Sequence, residues 1–157
     1  MSTTDGKKLK AMTAEELKKF LPEFFARDAK APFPMTVFDG NMAPFLTGGR
    51  DTAILTKFNG KSERGDILLV DCGGRVTLSR VFAANGCEMS LMGDSQAEPC
   101  SAVGRAAVLA RCDIVVKDGR LIRKNDAVWR FFERVWAEKP EARKQLLQAA
   151  GVLDKKL

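Results

Sequence analysis

Acid–base and nucleophilic chemistry in this chain has to be built from lysine, carboxylate, thiol and hydroxyl groups, because its 157 residues include no histidine and no tyrosine. That excludes Ser-His-Asp and Cys-His mechanisms and histidine-ligated metal centres, each of which needs an imidazole as base or ligand. The four thiols, Cys72, Cys87, Cys100 and Cys112, include no Cys-x-x-Cys pair of the kind that forms a zinc half-site or a redox couple. They read as reduced, mostly buried side chains, and neither a metal nor a cofactor is expected. Gly48-Gly49 is followed by Arg50-Asp51, without the lysine and hydroxyl that a phosphate loop requires.

The elements that must position these groups belong to one domain of ordinary size, with 45% apolar and 29% charged residues. Apolar runs such as 67–70 and 106–110 fall far short of the roughly 18–20 residues that cross a bilayer, and the N-terminal stretch has no apolar export segment. A cytoplasmic protein without a membrane anchor is therefore expected. The formal charge is +6, and residues 120–157 hold ten Lys or Arg against five Asp or Glu. A solvated lysine-rich helix face explains such an excess, and a surface for nucleic acid or an acidic partner is the alternative.

Thr13 and Glu16 form a capping-box pattern ahead of Leu17, Phe20, Leu21 and Phe24 at helical spacing, in a helix that Pro22 is expected to bend or split. Short β-rich runs follow at 35–38, 52–57, 66–71, 75–83, 87–92, 108–116 and 120–122. Asn85-Gly86 and Asp118-Gly119 sit between such runs and tolerate the positive φ of tight hairpins, so two antiparallel hairpins are predicted. From Asp126, Val128, Phe131, Phe132, Val135 and Trp136 recur at intervals of three and four, giving an amphipathic helix up to Pro140, and a second helical segment runs over 141–150. Trp129 and Trp136 should pack on the β core. The fold class is thus mainly β with flanking α-helices at both termini: a helical segment over 1–30, a β domain over 31–124 and a basic helical extension over 125–157 packed on the same domain.

An ordered set of short motifs then carries a resemblance. Gly40-Asn41-Met42-Ala43-Pro44 resembles the Gly-x-Ser-Met-x-Pro nucleophile box of the serine peptidases that include type I signal peptidases and LexA-type self-cleaving repressors. Arg64-Gly65-Asp66-Ile67-Leu68-Leu69-Val70 looks like that family's Gly-Asp box and following strand. Val76-Thr77-Leu78-Ser79-Arg80-Val81 is similar to the strand carrying the base, Leu91-Met92-Gly93-Asp94-Ser95 to a second Gly-Asp box, and Val103-Gly104-Arg105-Ala106 to the closing Gly-Arg element. The resemblance covers nearly half of the chain and implies several coiled β-sheets with a partly barrel-like core.

The departures from the pattern carry the functional message. The family's serine attacks the scissile carbonyl after a neighbouring lysine or histidine removes its proton. Here Asn41 stands at the nucleophile position and Ser79 at the base position; the amide is not a nucleophile, and the hydroxyl cannot take a proton at neutral pH. The reading preferred from the sequence is a pseudopeptidase that retains a groove for an extended peptide or protein segment bound by strand addition. Met42, Pro44 and Arg80 are its candidate substrate-binding residues, and Gly40, Gly65, Asp66, Gly93, Asp94, Gly104 and Arg105 its structural motif. A second reading keeps an active endopeptidase with relocated groups, such as Ser79 activated by Lys57. A third is a protein- or nucleic-acid-interaction module that uses the basic C-terminal helices.

Plainer roles stand beside these. The Gly-Asp pairs serve as turns entering strands, Arg80 as the neutralising partner of Asp66 or Asp94, Met42 as core filler and Asn41 as a turn residue. The lack of an anchor speaks against export processing. Only about 35 residues precede the nucleophile box, too few for a helix-turn-helix module with its linker, and the glycines before residue 41 follow aspartates, so no self-cleavage target is expected.

Overall fold

The computed structural model describes residues 12–85, 88–96 and 102–136. The first element, α1 (Ala14–Arg27), begins with the expected capping box: the Glu16 amide donates to Thr13 Oγ1 at 3.1 Å and the Thr13 amide to Glu16 Oε1 at 2.8 Å. Both bonds satisfy amides that a helix start leaves without intrahelical partners. The helix is not split at Pro22, which lies exposed inside it. Leu17, Leu21 and Phe25 recur every fourth residue and are all buried, so packing holds the helix through the missing N–H.

Among the described residues eight strands follow: β1 (Phe33–Thr36), β2 (Thr52–Thr56), β3 (Ile67–Cys72), β4 (Arg75–Asn85), β5 (Glu88–Leu91), β6 (Val103–Gly104), β7 (Val108–Lys117) and β8 (Arg120–Arg123). All the pairings are antiparallel, in the order β1-β2-β7-β3-β4-β5-β6, with β8 also on β7. The protein is mainly β, as its sequence predicts. Strand β1 starts two residues before the expected run because Pro34 is exposed on an edge strand, where a missing N–H leaves the ladder intact. Among the described residues no helix is long and apolar enough to cross a membrane.

Hairpin β7–β8 turns on Asp118 and Gly119 with φ of 52° and 80°, the predicted mirror-image turn. Hairpin β4–β5 closes with Asn85 opposite Glu88, while Gly86 and Cys87 lie outside the described residues. A third hairpin joins β3 to β4 through Gly73-Gly74.

Strand β3 organises the interior. Its alternate residues enter two clusters, Ile67 and Leu69 in one and Leu68 and Val70 in the other, which is why its sequence is continuously apolar. The larger cluster also takes in Leu17, Leu21 and Phe25 of α1 and Trp129 and Phe132 from the C-terminal side, so both flanks share the β core. Strand β4 is shared in a different way: residues 75–80 pair with β3, and from Val81 onward, past a bulge between Val81 and Ala83, the strand pairs with β5. That bend brings the distant sequence motifs together.

The C-terminal described segment differs from a regular amphipathic helix. After α2 (Ala127–Arg130) the winding opens into a π-helical stretch, Phe131–Trp136. The wider turn shifts the phase, so Phe131 is 43% exposed. Trp129, which precedes that stretch, is fully buried on the β core as expected, with its ring 5.4 Å from that of Phe45. The side chain of Trp136 and the segment 141–150 lie outside the described residues.

Asp51 pins the loop that precedes β2. Its carboxylate accepts from the Thr47 amide at 2.8 Å, the Asp118 amide at 3.0 Å and Arg50 Nε at 2.9 Å. Burial by itself would raise this carboxyl, but the Arg50 side chain and the two amides outweigh it and hold its pKa below the usual value. Such a group stabilises the fold above its unfolded pKa of about 3.9, and the contribution fades as pH falls through the lower folded value. Asp51→Asn should therefore lower the unfolding free energy by about 1–3 kcal/mol at pH 7. In urea titrations the gap from the wild type should narrow below about pH 4.

Candidate functional site

Asn41, Ser79, Arg80, Gly93 and Asp94 lie near the bend of β4. Asn41 lies in the turn after β1, and its amide Nδ2 donates to the Leu78 carbonyl on β4 at 2.7 Å. The same loop is tied to β4 again through Asp39, which accepts from Thr77 Oγ1 at 2.9 Å and pairs with Arg75 at 3.3 Å. From the opposite side comes the turn after β5: the Ser95 amide and hydroxyl both donate to the Asn41 carbonyl, at 3.0 and 2.9 Å. Gly93 is packed so closely on Asn41 that a Cβ there would collide with its backbone oxygen and side-chain amide. Asn41 is thus held through its side-chain Nδ2 and its backbone carbonyl.

Ser79 is the residue after Leu78 and only 2% exposed. It stands opposite Leu68 in the β3–β4 register, which places its hydroxyl on the face of the smaller apolar cluster. Among the described residues its Oγ has no hydrogen-bond partner, and so neither Asn41 nor Lys57 is bonded to it. Leaving a hydroxyl buried and unpaired costs about 1–3 kcal/mol, and among the described residues no basic group is bonded to it.

Arg80 points to the other face of β4. Its guanidinium forms a two-pronged pair with Asp94, Nε to Oδ1 and Nη2 to Oδ2 both at 2.9 Å, and Nη1 donates to the Gly65 carbonyl at 2.8 Å. Both charged groups are buried, at 1% and 0% exposure, and the cation also faces the Phe45 ring at 5.5 Å. The sequence leaves Asp66 and Asp94 as alternative partners; the fold selects Asp94. Asp66 instead caps the start of β3 by accepting from the Glu63 amide at 2.8 Å, and it is matched by Lys124 and Arg111.

No family model matches this chain, and no curated protein matches its sequence.

Two of the expected substrate-binding residues change role. Arg80 has its donors committed to Asp94 and Gly65, and Met42 is a fully buried member of the larger core cluster, so neither side chain is presented to a bound chain. Pro44 is half-buried beside it. Gly40 is exposed at the tip of the turn, and Gly104 and Arg105 are exposed at the end of β6, away from the Asn41 contacts described above. Gly65, with φ of +97°, faces the Glu133 side chain, which leaves no room for a Cβ.

The sequence reading missed Asp39, Arg111, Lys124 and Glu133, whose roles depend on contacts made across the sheet. Cys112 is buried, and burial pushes its thiol up to about 12, leaving it protonated and unreactive. Cys72 is half-buried at the end of β3, and Cys87 and Cys100 lie outside the described residues. Among the described residues no group of three or more Cys, Asp or Glu is arranged to hold a metal ion.

Proposed function

We propose that this chain is a catalytically inert relative of the signal peptidase and LexA-type serine peptidases, which holds an extended peptide or protein segment beside β4 and does not cut it. The observation that carries this reading is the 2.7 Å bond from the Asn41 amide to the Leu78 carbonyl, one residue before Ser79. It supports the reading because it sets Asn41 beside the strand that carries Ser79, and neither side chain has the chemistry of a nucleophile or a base. A carboxamide is chemically close to a peptide N–H, so Asn41 occupies a carbonyl that an added strand would use. Binding then exchanges one amide donor for another.

The relocated-catalysis reading has less support: among the described residues Ser79 Oγ has no hydrogen-bond partner, and Lys57 is exposed just past β2. We propose a cytoplasmic location, in line with the expectation from the sequence.

The test is a fluorescence-polarisation screen of short extended peptides against the wild type and Asn41→Ala. Losing one neutral hydrogen bond changes free energy by about 0.5–1.5 kcal/mol, so removing this internal competitor should tighten peptide binding by roughly 2- to 12-fold. Absence of saturable binding by both proteins would overturn the reading.

A further inference from the structure

A second candidate site lies at the corner between β8 and the C-terminal helix, built from side chains that the peptide site does not use. An open cavity of about 400 Å³ is lined there by Arg123, Lys124, Arg130 and Arg134 together with Asp113 and Glu133. Two of these charges are already matched: Lys124 pairs with the buried Asp66, and Asp113 with Arg111 at 3.1 Å. Arg123, Arg130 and Arg134 are exposed, and among the described residues none of the three guanidiniums has an ion-pair partner. Arg130 and Arg134 are four residues apart in one helical stretch, and Arg123 enters from the end of β8.

We infer that this cavity binds the phosphate group of a phosphorylated ligand. Three guanidiniums against the single remaining carboxylate of Glu133 leave two uncompensated positive charges. A phosphate monoester carries about −1.5 to −2 at neutral pH and offers three acceptor oxygens, which suits several arginine forks at once, whereas one carboxylate fills a single fork. The cavity has the volume of a small-molecule site. Its wall is also fixed in place, since Asp66 anchors Lys124 and Glu133 packs on Gly65. The inference stands apart from the peptide reading, because it uses neither Asn41 nor the edge of β4.

The experiment is calorimetric titration of the full chain with inorganic pyrophosphate, a nucleoside monophosphate and a single-stranded oligonucleotide, for the wild type and for Arg130→Ala/Arg134→Ala. Both substitutions lie on an exposed helical face, where alanine keeps the helix. The double variant should bind at least about tenfold more weakly, as expected for the loss of two charge-assisted contacts. Lys117→Ala/Arg120→Ala removes the same charge outside the cavity and should change affinity by less than about threefold if proximity matters more than net charge. Comparable binding of the two small phosphates assigns the ligand to free phosphorylated metabolites. Much tighter, arginine-dependent binding of the oligonucleotide assigns the same phosphate seat to nucleic acid. Failure of all three to bind, or equal weakening by the two double variants, would overturn the inference.

Discussion

Asp94→Ala is expected to be the most destabilising single substitution around the site, costing about 3–5 kcal/mol, because it strands the Arg80 guanidinium inside the protein without its counter-charge. Three of the contacts that fix this region pass through that pair: two bonds from Arg80 to Asp94 and one to the Gly65 carbonyl. For a chain of this size the loss corresponds to a fall in melting temperature on the order of 10 °C. The comparison that isolates the cause is Arg80→Met/Asp94→Leu. Removing both charges together replaces an ion pair by apolar packing and should restore most of the lost stability, since a desolvated pair contributes little net energy while a broken one costs a great deal. Thermal unfolding of the three proteins measures this directly. An Asp94→Ala protein melting within about 2 °C of the wild type would show that the pair does not hold the bend of β4.

The second large effect is a gain. Asn41→Ser together with Ser79→Lys should create a peptidase or esterase activity on the order of a thousandfold above either single variant, which is the scale of one well-placed general base. The geometry favours it because the residue 41 side chain already touches the carbonyl of the residue preceding position 79. An amine at a position 2% exposed, facing Leu68 and its cluster, loses hydration, and its pKa falls toward the neutral form that a base requires. The longer side chain costs about 1–3 kcal/mol of packing, so the double variant should melt lower than the wild type while still folding. Covalent labelling of residue 41 by a serine-directed acylating probe is the readout. A folded double variant that remains unlabelled would mean that the two positions do not face each other.

Much of this architecture is legible in the residues. The seven strand runs stand out because turn formers such as Gly73-Gly74 and Asp118-Gly119 separate short apolar stretches, and Ile67 to Val70 is apolar throughout because both of its faces are covered. β6 is two residues long and has no period to read, so it is visible in the sequence only as part of a motif. Pro22 misleads because buried Leu17, Leu21 and Phe25 outweigh one absent hydrogen bond. Phe131 misleads because a π-helical stretch changes the spacing on which periodicity depends.

The partners of these side chains were less legible than the strands that carry them. Asn41 and Leu78 are 37 residues apart, and Asp66 and Lys124 are 58 apart, so the choice of Asp94 over Asp66 for Arg80 is made by packing across the sheet. Short motifs carry no information about such distant pairing. Nor does the residue type at 42 reveal burial: methionine suits both a pocket wall and a core, and here the core takes it.

The most direct measurement follows a peptide from the polarisation screen through prolonged incubation with the wild-type protein, with intact-mass spectrometry of both components. The account predicts a complex from which the peptide is recovered at full length and the protein at unchanged mass. Two peptide fragments, or an acyl adduct on any hydroxyl of the protein, would contradict it.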